Sequence, residues 1–212
     1  MEPDASAPRW FSAWDLLPAG TALLLALALP VLMGHLPDPV PTHFDAVGRP
    51  NGWTPKGAFP WLLFGIPGLL WGILLATGRA FAGTEQDPDG RKSEALAPLR
   101  GLMTAGVLAL LALAPLGPRG LFLGLGGLGA ALVLGTVLMI RAFKRLGLSG
   151  GNPEHYRWGL FYVNAEDPAL WVPKRFGLGW TLNFAHAASW WILLLLLSPV
   201  AVVLGLTWMA RH

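Results

Sequence analysis

"DLLPAGTALLLALALPVLMGHLPDPVPTHFDAVGRPNGW", Asp15 to Trp53, sets the two extremes of this chain side by side. From Leu16 to Gly34 no side chain is ionisable. At about 1.5 Å of rise per residue, a helix of about 20 such residues crosses a hydrocarbon layer of about 30 Å. The whole apolar run, Phe11 to His35, outruns the core of a cleavable signal, so it reads as a retained helix. The stretch after it is polar and ruled by proline. Pro37, Pro39 and Pro41 each fix their own φ and push the preceding residue out of the α region. The chain should therefore leave the helix extended and stiff, close to polyproline II, and present Thr42, His43, Phe44 and Asp45 at a set distance. Gly48 and Asn51-Gly52 should turn it back. Thr54-Pro55 reads as an N-cap and first helical position for the next span.

Composition agrees with a bilayer as solvent. Of 212 residues, 54% are hydrophobic and 13% charged, where a soluble domain would carry about 25% charged. With no cysteine there are no disulfides, thiolate metal sites or cysteine nucleophiles. Eleven Trp against two Tyr fits interfacial anchoring. A net charge of +3 could suggest nucleic acid in a soluble protein; here the distribution of charge matters more than its sum.

Five windows can span: 12–36, 59–82, 96–116, 120–141 and 187–209. The third and fourth are joined by "PLGPRG" (Pro115 to Gly120), which should close a tight helical hairpin. With an odd count, eleven of the fifteen Lys and Arg share one side, Arg9, Arg100 and Arg141 among them, against Arg49, Lys56, Arg119 and Arg211. The positive-inside rule then places the N-terminus in the cytoplasm, the C-terminus outside, and the 37–58 loop facing outward. The expected fold is an all-α polytopic membrane protein: a five-helix transmembrane bundle with an extended outward loop and a small cytoplasmic β-hairpin-like element. Its parts are a two-span unit over 1–95, a transmembrane helical hairpin over 96–141, and an interfacial segment with the final span over 142–212.

The spans carry almost no ionisable residues. Asp15 stands at the entrance of the first and His35 at its exit, both within reach of the interface, which argues against an ion-coupled carrier. Gly68-x-x-x-Gly72 and Gly120-x-x-x-Gly124, with Gly126, Gly127, Gly129 and Gly135, allow close helix approach, either inside one chain or in a homo-oligomer. Pro30, Pro67 and Pro199 should kink their helices.

In the outward loop, Asp38, His43, Asp45, Asn51 and Lys56 are the candidate residues for binding an extracytoplasmic peptide or lipid; the alternative is that they satisfy loop backbone and one another. His35, His43 and Asp45 are weak metal candidates, since a zinc site needs three or four convergent ligands and no HExxH-like spacing occurs. This stretch resembles the signature of the SdpI-like family of bacterial integral membrane proteins, roughly LPxx(I/V)PxHFxxxGxx(D/N)xWxxK. Leu36, Pro37, Val40, Pro41, His43, Phe44, Gly48, Asn51, Trp53 and Lys56 match it over about 50 residues of spans one and two. Asn51 stands where Asp is common. The resemblance implies residence in the bacterial cytoplasmic membrane and an immunity, signalling or receptor role towards an extracytoplasmic peptide.

Residues 142–186 are too many for a simple turn, so structure is expected there. "RWGLFYVN" (Arg157 to Asn164) and "ALWVPKRFG" (Ala169 to Gly177) flank the turn-forming "AEDP" and suggest one hairpin lying on the membrane face. Trp158, Phe161, Trp171 and Phe176 would enter the headgroup layer, and Arg157, Lys174 and Arg175 would meet anionic lipid. The stretch also resembles a second bacterial domain of unknown role, WxGxFYxNPDDPxxxVPKRxGxGWTxNF, with Ala165 and Glu166 replacing Pro and Asp. Asn164, Asp167, Lys174, Arg175 and Asn183 form the candidate site for a lipid headgroup or cytoplasmic protein partner; a self-satisfied cap at the membrane surface is the competing reading. No catalytic residues are assigned, because no Ser-His-Asp set, no carboxylate pair in a span and no phosphate loop occurs. "GLGGLG" (Gly124 to Gly129) lies within a span, where helix packing accounts for it. Membrane lipids are the expected partners, without cofactor or nucleic acid. A lipid or small-molecule permease and a metal-dependent membrane hydrolase are the competing classes.

Overall fold

The computed structural model describes residues 11–209, with side chains described over 11–199; Arg9 and Arg211 of the charge count lie outside the described residues. The chain divides into two units, Met1–Leu148 and Ser149–His212.

The first unit is helical. A 3₁₀ turn, Ala13–Asp15, is closed by a reciprocal capping box in which the Ser12 side chain accepts from the backbone and Asp15 reaches back to Ser12. It runs into α1 (Leu16–His35). Then come α2 (Phe59–Phe81), the short α3 (Arg91–Ala95), α4 (Ala97–Leu113) and α5 (Pro118–Arg145). Among the described residues four segments are long and apolar enough to cross a membrane: Ala13–His35, Lys56–Phe81, Ala97–Leu116 and Pro118–Arg145. Many of their leucines and tryptophans face outward, as at Leu24, Trp61 and Leu123, which suits hydrocarbon surroundings, while Leu63 and Leu108 are buried. Prolines 30 and 67 lie inside α1 and α2.

The α4–α5 hairpin turns through a 3₁₀ segment, Ala114–Leu116, and Gly117 at φ 105°, a left-handed value that suits glycine. Glycines let these two helices touch. A Cβ on Gly124 would stand 2.9 Å from Leu110 Cα, and one on Gly135 2.9 Å from Leu99 Cα. Gly68, Gly72, Gly126, Gly127 and Gly129 instead have no atom within 4 Å of that position. The expected small-residue surface is thus split, with part of it in close contact among the described residues.

The stretch after α1 corrects the polyproline expectation. It is an antiparallel β-hairpin, β1 (Val40–Phe44) with β2 (Pro50–Thr54), in the register Val40↔Thr54, Pro41↔Trp53, His43↔Gly52 and Phe44↔Pro50. Two antiparallel strands satisfy each other's backbone groups, which polyproline II leaves to water. The reversal is at Asp45–Gly48, where Gly48 N–H donates to Asp45 O at 3.0 Å; Asn51-Gly52 lies within β2 rather than in a turn. Thr54 is a strand residue, its hydroxyl 2.8 Å from that of Thr42, and Pro55 precedes a 3₁₀ turn, Lys56–Ala58, so the expected Thr54 cap is absent. Val40 is fully buried in a cluster with Leu36, Phe59, Leu63 and Ala112, which fixes the hairpin to the bundle end where α4 meets α5.

The second unit holds two small hairpins, β3 (Tyr156–Arg157) with β4 (Phe161–Tyr162) and β5 (Trp171–Pro173) with β6 (Trp180–Leu182), followed by α6 (Ala187–Met209). Side chains of α6 are described to residue 199, including Ala187–Pro199 as an apolar helix. The single hairpin expected across "AEDP" is replaced by two local ones. The reversals fall at Trp158–Gly159 and at Gly177 and Gly179, all with positive φ, while Asn164 and Asp167 fold "AEDP" into side-chain-held turns.

Candidate functional site

On the hairpin of the first unit, the five expected residues separate by role. Asp45 is a turn-former: its Oδ1 accepts from Val47 N–H at 3.0 Å and Arg49 N–H at 2.8 Å. Asp38 accepts from Lys56 N–H at 3.1 Å, and Lys56 Nζ donates to Leu36 O at 2.6 Å, so these two tie the hairpin's base to the end of α1. His43 and Asn51 are exposed, with no side-chain hydrogen bond to another described residue. Gly52 stands opposite His43 because a Cβ there would come within 2.7 Å of His43 Cβ. The hairpin thus offers His43, Asn51 and the exposed Trp53 on a frame held by Asp38, Asp45 and Lys56. His35 does not join them: its Nδ1–H donates to Val31 O at 2.8 Å. Among the described residues no three or more His, Asp or Glu side chains converge to hold a metal ion.

At the other end of the bundle lies a site that sequence reading missed. Asp15, at the start of α1, is buried against Arg100 of α4. Arg100 Nε and Nη2 donate to the two carboxylate oxygens at 2.9 and 2.6 Å, Trp71 Nε1 of α2 donates to Oδ1 at 2.9 Å, and Ser12 N–H to Oδ2 at 2.9 Å. A bidentate pair with two further donors gives this carboxylate four hydrogen bonds. Gly101 makes room for it, since a Cβ there would collide with Trp14 O. A cavity of about 230 Å³ opens beside the pair between α1, α2 and α4, lined by Pro18, Phe64, Pro67, Trp71 and Thr104 besides Asp15. The signal in the sequence is an anion and a cation in windows that begin at the same end of the bundle; in a count of Lys and Arg by side, Arg100 passes for one more loop charge.

In the second unit, Asn164, Asp167 and Asn183 come together. Asn183 is fully buried. Its Oδ1 accepts from Asn164 N–H at 3.1 Å and Ala185 N–H at 3.2 Å, and its Nδ2 donates to Asn164 O at 2.7 Å and Asp167 O at 3.0 Å. With its amide so occupied, Asn183 positions the loop rather than offering atoms to a ligand. Asp167 accepts from Tyr162 O–H at 2.8 Å and Ala169 N–H at 2.9 Å, and His186 Nε2–H donates to Asp167 O at 2.8 Å. The Ala169 amide first, then the Tyr162 hydroxyl, hold the Asp167 carboxyl below the usual carboxylate range. Burial pushes the Tyr162 phenol up, and its bond to Asp167 adds to this. A cavity of about 450 Å³ opens here, with His155, Tyr156, Tyr162, Asn164, Glu166 and Asp167 on its wall. Lys174 and Arg175 lie on the β5–β6 turn and do not line it; the Arg175 guanidinium sits 5.9 Å from the Tyr156 ring centre and 5.4 Å from that of Phe176. Trp158, Phe161 and Trp171 are exposed. Tyr162 and His186 were not among the expected site residues, although Tyr162 stands in the aromatic pair of "RWGLFYVN".

Two family models match parts of the chain: residues 20–70 a domain of unknown function (DUF1648), and residues 165–190 a family of unknown function (DUF5808). The first match contains the β1–β2 hairpin and the second contains Asp167, Asn183 and His186. No curated protein and no solved structure matches the chain.

Proposed function

We propose that this chain is a bacterial cytoplasmic-membrane protein of the SdpI-like type, a receptor, immunity or sensing module whose β1–β2 hairpin meets an extracytoplasmic peptide. The carrying observation is the exposed His43 and Asn51 on a hairpin whose base is immobilised by Val40 burial and by Lys56. Rigid presentation favours binding because little conformational freedom remains to be lost. The likeness of Leu36–Lys56 to the SdpI-like signature supports a peptide as ligand. The loop cluster around Asn183 serves as the second, cytoplasmic contact in this reading, with Lys174 at its accessible edge.

A photo-crosslinking residue in place of His43 tests this on intact cells exposed to the secreted peptides of the host culture. A peptide-mass adduct at position 43, absent when the same residue replaces the buried Val40, is expected. Adducts of lipid mass alone, or equal labelling at both positions, would overturn it. A permease reading draws on the cavity beside Asp15, but Thr104 is the one other polar side chain, Trp71 aside, on a wall made mainly of Ala, Pro, Leu and aromatic residues.

A further inference from the structure

We infer that the groove between the start of α1, the start of α4 and the end of α5 is a binding site for an anionic phospholipid. It has a volume of about 450 Å³ and is lined by Trp14, Pro98, Leu138, Ala142 and the three cations Arg141, Lys144 and Arg145. Leu138, Arg141, Ala142 and Arg145 fall at i, i+3, i+4 and i+7, so they form one stripe along α5. Along that stripe the chemistry changes from hydrocarbon at Leu138 to guanidinium at Arg145 over about 10 Å of helical rise. A phospholipid changes in the same sense and over a similar distance, from acyl chain to phosphate.

Charge complementarity decides the class of occupant. Arg141, Lys144 and Arg145 are exposed, and none meets a carboxylate among the described residues. The nearby Asp15 cannot serve them, because both its oxygens are occupied by Arg100, Trp71 and Ser12. Cations at a helix C-terminus are ordinary on dipole grounds alone. An apolar groove running beneath them is not explained by the dipole, and Trp14 and Pro98 supply its second wall from other segments. Basic pockets between transmembrane helices suit anionic headgroups, whereas a zwitterionic headgroup would bring its own cation to the three already present.

The full chain, purified in mild detergent, is titrated with phosphatidylglycerol or phosphatidylcholine, and bound lipid is read by native mass spectrometry. Three neutralised cations correspond to about a hundredfold preference for the anionic lipid. Arg141→Gln with Lys144→Gln and Arg145→Gln should remove that preference, and Arg141→Gln alone should lower it about fivefold. Ala142→Phe, which fills the groove without touching charge, should weaken phosphatidylglycerol binding while leaving retention of inorganic phosphate as it was. The charge pair Arg49→Gln with Arg119→Gln, exposed and outside the groove, is the control and should keep the preference. Equal binding of both lipids by the wild type, or a preference that survives the Arg141–Arg145 triple, would overturn the inference. So would an Ala142→Phe variant that binds the anionic lipid unchanged, since that would leave a diffuse basic surface in place of a groove.

Discussion

Asp15 and Arg100 show how one pair of side chains can organise the end of a helical bundle. Both are charged, both are buried, and together with Trp71 they join α1, α4 and α2. Burying a single charge in this setting would be prohibitive; burying a bidentate, hydrogen-bonded pair is tolerable, and breaking it is costly. Arg100→Leu should therefore destabilise the chain by about 3–5 kcal/mol, because it leaves the Asp15 carboxylate without its cation. The double variant Asp15→Leu with Arg100→Leu should recover most of that loss, since a well-packed apolar replacement removes both desolvation penalties. Unfolding of the reconstituted protein by titrated denaturing detergent gives the comparison. If the double variant is as unstable as the sum of the two singles, the pair is not the joint described here. Trp71→Phe removes one donor to a charged acceptor and should cost about 1.5–3 kcal/mol on the same scale.

At the scale of elements, the spans were legible because a bilayer enforces a length and forbids charge. Windows at 12–36 and 59–82 correspond to α1 (Leu16–His35) and α2 (Phe59–Phe81), whereas in the window at 187–209 the described residues form a shorter apolar helix, Ala187–Pro199. The window at 120–141 fell short of α5 (Pro118–Arg145), whose last turn is basic and so invisible to a hydropathy criterion. Non-helical parts were less legible. Three alternating prolines describe a stiff chain but not its partner, and strand pairing at Val40↔Thr54 depends on a residue fourteen positions away. Asn183 likewise reads as a polar residue near a span, while its structural meaning comes from Asn164 and Asp167 across the loop. That loop carries its own pH signature. Asp167 is held low by Ala169 N–H and Tyr162 O–H, so its contribution is present above the ordinary value of about 3.9 and is lost as pH falls through the lower folded value. Tyr162 is pushed up, so its contribution is whole below about 10 and is lost as pH rises through the higher folded value. Since the chain has two tyrosines, both pushed up first by burial, an ultraviolet titration resolves them. Tyr162→Phe should remove one component, and Asp167→Asn should bring that component down partway, burial remaining. Phenolate formation at about 10 in the folded wild type would contradict the arrangement.

For the whole molecule, the proposed membrane orientation joins the hairpin reading to the loop reading. Within the first unit, the hairpin and the Asp15–Arg100 pair sit at opposite ends of the bundle: Val40 packs on Ala112 near the α4–α5 turn, while Arg100 opens α4. The proposed orientation, with the hairpin outside, rests on the positive-inside rule and the excess of Lys and Arg in the segments that alternate with the hairpin. The proposed orientation has Lys174 in the cytoplasm, since three segments long and apolar enough to cross, Lys56–Phe81, Ala97–Leu116 and Pro118–Arg145, lie between it and the hairpin. The absence of cysteine makes this directly measurable, because any introduced thiol is unique. Asn51→Cys is a better reporter than Lys56→Cys: Asn51 is exposed, whereas Lys56 is partly buried and bonded to Leu36 O. A membrane-impermeant maleimide should label Asn51→Cys on intact spheroplasts and Lys174→Cys only after the membrane is opened. Labelling of both from outside would mean that an even number of crossings separates them, and a receptor with one face on each side would no longer follow from the charge pattern. Labelling of Asn51→Cys only after opening would invert the molecule, leaving the hairpin to meet a cytoplasmic ligand and Arg141, Lys144 and Arg145 at the outer leaflet.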